Sequence, residues 1–229
     1  MDKIEKVREQ VYLLLNTDDS GHDMNHINRV LNLSLKFAVK EKANKEIVTL
    51  IALLHDVDDY KLFGTEHAEN LTNAKQIMNN SNVSIEIQEK VLSAINCIGY
   101  SKRLKGISPK TIEGKIVSDA DMCDALGVTG VLRTYKYSMK KGKPFFDKNS
   151  FPCENMNALK YTKKYSGSSV CHIFEKILKL KRLMLTAQGK EEAEKRHQIV
   201  VDILYHLFDE ENVLDWKNYL DHFLSENYK

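Results

Sequence analysis

Apolar residues recur at helical spacing along almost the whole chain, and little interrupts them. Its 229 residues include only three prolines and ten glycines, too few punctuating residues for a turn-rich β sandwich. Val7, Val11, Leu14 and Leu15 mark a first helix, ended by a polar loop from Asn16 to Gly21. Asp23 is placed to cap a second, with Ile27, Val30, Leu31, Ser34 and Ala38 on one side. A third runs from about Glu46 into His55; Ile47, Leu50, Ile51 and Leu54 form its stripe, and Leu53 and Val57 widen it toward full burial. Thr65 is expected to cap a fourth helix, and Ser84, with Glu86 and Ile87, to open a fifth.

Ile98 to Pro109 reads as a loop. A helix then starts near Thr111 and reaches about Leu126, and Leu132, Tyr135 and Met139 continue a helical pattern. A second loop, Gly142 to Pro152, separates these from a long basic amphipathic helix after Ser168 carrying Ile173, Ile177, Leu180 and Met184. Two more helices, near Glu191 to Phe208 and Val213 to Leu224, close the chain. The expected fold class is all-α, a single helical domain over residues 1–229. Its catalytic core would span about 20–135 and its helical C-terminal portion about 154–225.

Charge and cysteine content limit the function classes. A formal net charge of +2 gives no strong push toward nucleic acid or membrane. Its distribution is less even, with Lys136, Lys140, Lys141 and Lys143, then Lys160, Lys163 and Lys164, then Lys176 to Arg182. These are either solvated helix faces or a positive rim for an anionic substrate. No nucleic-acid-reading motif accompanies them. The four cysteines (Cys97, Cys123, Cys153 and Cys171) lack CxxC spacing and fit free thiols in a reducing cytoplasm. No apolar run approaches membrane-spanning length, so a cytoplasmic location with no membrane partner is expected.

The chemistry-bearing residues are His26, the doublet His55-Asp56, and Asp121. Imidazole and carboxylate together suit a divalent metal of intermediate hardness (Mn, Fe, Co, Ni or Mg) with positions left for water and a phosphate oxygen. His55-Asp56 ends the apolar run IVTLIALL, where burying an isolated carboxylate is costly and a metal would relieve the cost. A helix C-cap with His55 satisfied by a backbone carbonyl is the plainer alternative. His26 could likewise be a half-buried histidine beside Val30. In Ser118-Asp119-Ala120-Asp121-Met122-Cys123-Asp124, helical geometry puts Asp121 and Asp124 on one face and turns Asp119 away.

The stretches GHDMNHINRV, ALLHDVDDYK and IVSDADMCDALG, in that order, resemble the H…HD…D pattern of the HD superfamily of phosphohydrolases. They are most similar to a soluble bacterial and fungal subgroup acting on nucleotides, whose signature runs HDxxHxxRV, LHDxxDxK, DADxxDAxG. The later stretch HIFEKILKLKRLMLTAQGKEEAEKRH resembles that subgroup's C-terminal part, so the likeness covers roughly residues 20 to 200.

The resemblance implies an HD-type helical fold and one divalent metal on His26, His55, Asp56 and Asp121. Asp59, three places beyond the HD aspartate, takes the role of orienting or deprotonating the attacking water, and Asp58 reads as a solvated loop charge. His22, Arg29 and Lys61 are candidate phosphate contacts. So are His172, Lys176 and Lys179, which an unbroken helix would align at i, i+4 and i+7, either as substrate contacts or as a surface stripe. The implied activity is hydrolysis of a nucleotide phosphoester or phosphoanhydride, foremost nucleoside triphosphate to monophosphate plus pyrophosphate. A non-enzymatic nucleotide sensor on the same helices is the alternative. His67 alone lies between Asp56 and Asp121, which favours one metal over two. A small phosphorylated molecule is the expected partner, and room is left for a homodimer.

Overall fold

A computed structural model of the chain describes residues 2–16, 23–153 and 167–227. Among them there are helices and no strands, so the fold is all-α. The chain resolves into two compact units. The first holds residues 1–124 together with Leu185–Gly189; the second holds Ala125–Met184 and Lys190–Lys229.

The first unit contains α1 (Lys3–Leu15), α2 (Met24–Lys40), α3 (Lys45–Leu54), α4 (Tyr60–Phe63), α5 (Thr65–Asn70), α6 (Thr72–Asn80), α7 (Ile85–Ile95), α8 (Tyr100–Leu104) and α9 (Ile112–Asp124). α3 is its axis because it is apolar almost all round. Ile47, Val48 and every residue from Leu50 to Leu54 are buried, which a helix tolerates only when surrounded. α1, α2, α7 and α9 pack on it, and α2 also packs on α9. The stretch that ends in His55-Asp56 is thus enclosed on several sides.

Local chemistry sets the ends of these helices. Asp23 caps α2 by accepting from His26 N at 2.9 Å, and Asn44 caps α3 by accepting from Glu46 N and Ile47 N. Two expectations need correction here. Thr65 is the first helical residue of α5 and makes no cap bond; the run then breaks at Leu71, which is left-handed at φ 51°, so α5 and α6 are separate. The segment from Ile98 to Pro109 also contains the short helix α8. The break at Leu71 has no Pro to announce it.

The second unit contains α10 (Gly127–Lys140), α11 (Ser169–Glu175), a 3-10 helix (Ile177–Leu183), the greater part of α12 (Ala187–Glu210) and α13 (Leu214–Asn227). It is built around Trp216, which is buried and ringed by Phe146, Phe151, Phe174, Phe208 and Tyr219. Phe151 stacks on Trp216 at 4.4 Å, and the indole N–H donates to Lys148 O at 3.0 Å. The segment between α10 and Cys153 is therefore anchored by aromatic packing despite lacking regular structure.

The long basic helix expected after Ser168 does not form. α11 stops at Glu175, Lys176 sits at φ −131°, and the backbone continues as 3-10. The tighter winding aligns residues three apart and buries Ile177 and Leu180 together. On α10, the buried face is Gly127, Val131, Thr134 and Ser138, while Leu132, Tyr135 and Met139 point outward. The apolar spacing there marks the exposed side. No helix among the described residues is long and apolar enough to cross a membrane, and all four cysteines are free thiols.

Candidate metal centre

α2, the end of α3 and the last turn of α9 bring four polar side chains of the first unit together. His26 is the third residue of α2 and is 1% exposed. Its Nδ1 lies 2.8 Å from Asp124 Oδ2. A carboxylate surrounded by donors is the acceptor, so His26 carries its proton on Nδ1. His55 occupies the C-cap position of α3, and its Nδ1 donates to Ala52 O at 2.8 Å. The sequence reading offered a carbonyl-satisfied His55 as an alternative to a metal ligand. The structure has that hydrogen bond and still leaves the other ring nitrogen directed elsewhere.

That direction is toward His26. The two Nε2 atoms lie 3.2 Å apart, with the rings edge to face at 62°. Asp56 Oδ2 stands 3.3 Å from His26 Nε2 and 3.5 Å from His55 Nε2. Asp121 Oδ1 stands 3.5 Å and 3.9 Å from the same atoms. One ligand atom each from His26, His55 and Asp56 fall within 4.8 Å of one another, with Asp121 flanking them. With each Nδ1 acting as a donor, the Nε2 atoms are the ring nitrogens placed to supply lone pairs to a cation, and they face each other. Two carboxylates stand beside them, and such a set calls for a cation. Ligand atoms about 2.1 Å from one ion lie roughly 3.0–3.4 Å apart along a coordination edge, close to the 3.2, 3.3 and 3.5 Å separations among His26, His55 and Asp56. The donor set therefore fits a divalent metal.

The remaining residues named from sequence have different fates. Asp119 turns away, as helical geometry requires, and is fully buried. Its carboxylate accepts from Leu185 N, Thr186 N and Thr186 Oγ1 at 2.7–3.0 Å. Burial pushes its pKa up, against the pull of those donors. Asp58 is no solvated loop charge. It is buried and accepts from Asn73 N and Ala74 N at the start of α6. Asp59 is half-buried and caps α4 through Lys61 N at 2.8 Å.

Lys61 is exposed, its ammonium over the Tyr60 ring at 5.7 Å. Arg29 donates to Asp124 through Nε at 2.6 Å and Nη2 at 3.0 Å, and the Asp124 carboxylate holds its pKa above the ordinary value. His22 lies outside the described residues. His172, Lys176 and Lys179 belong to the second unit, and the break at Lys176 removes the i, i+4, i+7 alignment expected of them. Lys179 lies beside buried Glu175, and burial lowers its pKa.

Sequence reasoning left Asp124 without a role. The signals were its place three residues after Asp121, on the same face of α9, and its match to the last aspartate of the DADxxDAxG signature. In the structure both reach one imidazole, Asp121 near Nε2 and Asp124 at Nδ1.

The family model for the HD domain matches residues 24–126. Protein YpgQ of Bacillus subtilis is 31% identical over 208 residues, which are 90% of this chain and 93% of that protein. An HD-superfamily hydrolase from Bacillus thuringiensis superposes with TM-score 0.71 at 33% identity, over 92% of this chain and 97% of its own. Bacillus subtilis YpgQ, solved in complex with ADP, superposes with TM-score 0.70 at 28% identity, over 93% and 97% of the two chains.

Proposed function

The chain belongs to the HD domain family, and from that premise we propose that it is a metal-dependent phosphohydrolase acting on nucleotides. The observation that carries the reading is the pair of imidazole Nε2 atoms 3.2 Å apart beside the carboxylates of Asp56 and Asp121. His26, His55, Asp56 and Asp121 would hold one divalent ion of the Mn, Co, Ni, Fe or Mg type. Such an ion polarises a phosphate oxygen and lowers the pKa of a water molecule.

The rest is the work of the chain's own groups. Asp59 follows the HD pair by three residues, and its backbone N donates to Asp56 O at 3.1 Å, so the turn ties it to a ligand residue. Its half-buried carboxylate is assigned to align the attacking water or take its proton. Phosphoryl transfer is accelerated chiefly by positive charge around the phosphate oxygens. Lys61 and the part of Arg29 not spent on Asp124 are the cations of the first unit assigned to that task. The ADP bound by YpgQ supports a nucleotide as substrate. Cleavage of a nucleoside triphosphate to monophosphate and pyrophosphate is the reaction proposed.

The test is product analysis of metal-stripped protein resupplied with Mn, Co or Mg and a panel of nucleoside mono- and triphosphates. Pyrophosphate release that needs added metal and vanishes in His55→Ala is the expected result. Silence across the panel with metal still tightly bound would count against a nucleotide hydrolase and favour a nucleotide sensor.

A further inference from the structure

The Nδ1 side of His26 shows how one ligand of the proposed metal centre is held. Resting on that metal reading, we infer that Asp124 and Arg29 act together as positioning residues for His26. Asp124 is 2% exposed and contributes both oxygens to fixed donors. Oδ2 takes the His26 Nδ1 proton at 2.8 Å and Arg29 Nη2 at 3.0 Å, and Oδ1 takes Arg29 Nε at 2.6 Å. The planar two-point contact from Arg29 sets the rotation of the carboxylate, because a guanidinium edge matches only one orientation of its partner.

With the carboxylate fixed, the imidazole is fixed in two respects. Its proton stays on Nδ1, leaving Nε2 as the lone-pair donor, and its ring plane stays aimed at Asp56, Asp121 and His55. His55 reaches the same tautomer differently, through its own helix, by donating to Ala52 O. The two ligands therefore differ in what supports them. One depends on a backbone carbonyl three residues away, and the other on two side chains from α2 and α9. A buried carboxylate behind a ligating histidine has a known scale of effect: loss of such a partner typically weakens metal binding about 10–100-fold.

Neither residue would touch the ion, so activity alone cannot separate positioning from support of the fold. The measurement is Co(II) affinity by calorimetry, with the visible Co(II) spectrum as a report on ligand geometry, alongside thermal stability without metal. For Asp124→Asn, Co(II) affinity should fall about 10–100-fold and the spectrum should change. An amide can accept from His26 and Arg29 Nη2 only while presenting an N–H to Arg29 Nε, or accept from Arg29 Nε only while presenting an N–H to the imidazole and Nη2.

A lowered melting temperature with Co(II) affinity and spectrum unchanged would overturn the inference and leave Asp124 a structural residue. Should Asp124→Asn fail to fold, Arg29→Met, at a side chain 38% exposed, carries the test. Weakened Co(II) binding, restored in part by Arg29→Lys, is expected, and unaltered binding overturns the inference. If the unmodified protein itself binds no Co(II), the metal reading fails before the positioning question arises.

Discussion

His26 and His55 meet through their Nε2 atoms at 3.2 Å, each having committed its Nδ1 proton elsewhere. An ion bound between them removes the opposition of lone pairs, so metal should stabilise the folded chain. At a free metal concentration a hundred times the dissociation constant the gain is about 2.7 kcal/mol. Thermal unfolding with Mn or Co, against a chelator control, should show a rise in Tm. His55→Ala should show none.

Asp56 and Asp59 should respond differently to truncation. Asp56→Ala is expected to abolish metal binding and hydrolysis together. Asp59→Ala is expected to lower turnover about 10²–10⁴-fold, the usual scale for a group that assists proton transfer, with metal content near normal. Metal analysis of both variants beside their rates decides the matter. Loss of metal from Asp59→Ala would remove the role assigned to Asp59.

Asp58 should behave as a structural group. Its carboxylate satisfies two backbone N–H groups at the start of α6, and removing a buried acceptor of this kind costs about 1–3 kcal/mol. Asp58→Ala should lower the urea midpoint accordingly while binding one metal ion per chain, as the unmodified protein is expected to do. A metal deficit without a stability loss would contradict this.

His197 makes the second unit sensitive to acid. Burial, aided by the positive charge of Lys181 and opposed by Glu194, lowers its pKa to about 4. In the unfolded chain it would take up a proton near pH 6.5. Between those values the unfolded state binds more protons, so its contribution to stability is full above about pH 6.5 and is lost as pH falls toward 4. Urea midpoints measured from pH 7 to pH 4.5 should fall for the unmodified protein and fall less steeply for His197→Phe.

What could be read from sequence was whatever depended on neighbours along the chain. His55-Asp56 stood out because it ends an apolar run, and Asp23 because a cap acts three residues ahead. Asp124 did not, because its meaning depends on His26, 98 residues earlier. Asp58 and Asp59 are adjacent acids, one buried and the other half-buried. What distinguishes them is Asn73, 15 residues beyond Asp58 and brought back by the turns at either end of α5. On α10 the apolar spacing was real but named the outward face, since small and polar residues line the inward one. The basic run after Ser168 has helical periodicity, yet packing of Ile177 and Leu180 favours a tighter winding that periodicity alone does not reveal.

The clasp on Asp119 bears on the order in which the protein can be completed. The carboxylate is closed over by Leu185 and Thr186, the latter 67 residues further on. A Cβ at Gly189 would collide with it, which keeps that position bare. A nascent chain that has just made α9 therefore carries a buried-site carboxylate with none of these donors yet available. At roughly 5–20 residues per second it waits several seconds for them. The helix bearing Asp121 and Asp124 matures only after most of the second unit's sequence has been synthesised, so any message or proteolytic product ending before Thr186 would yield an HD core with α9 unlatched.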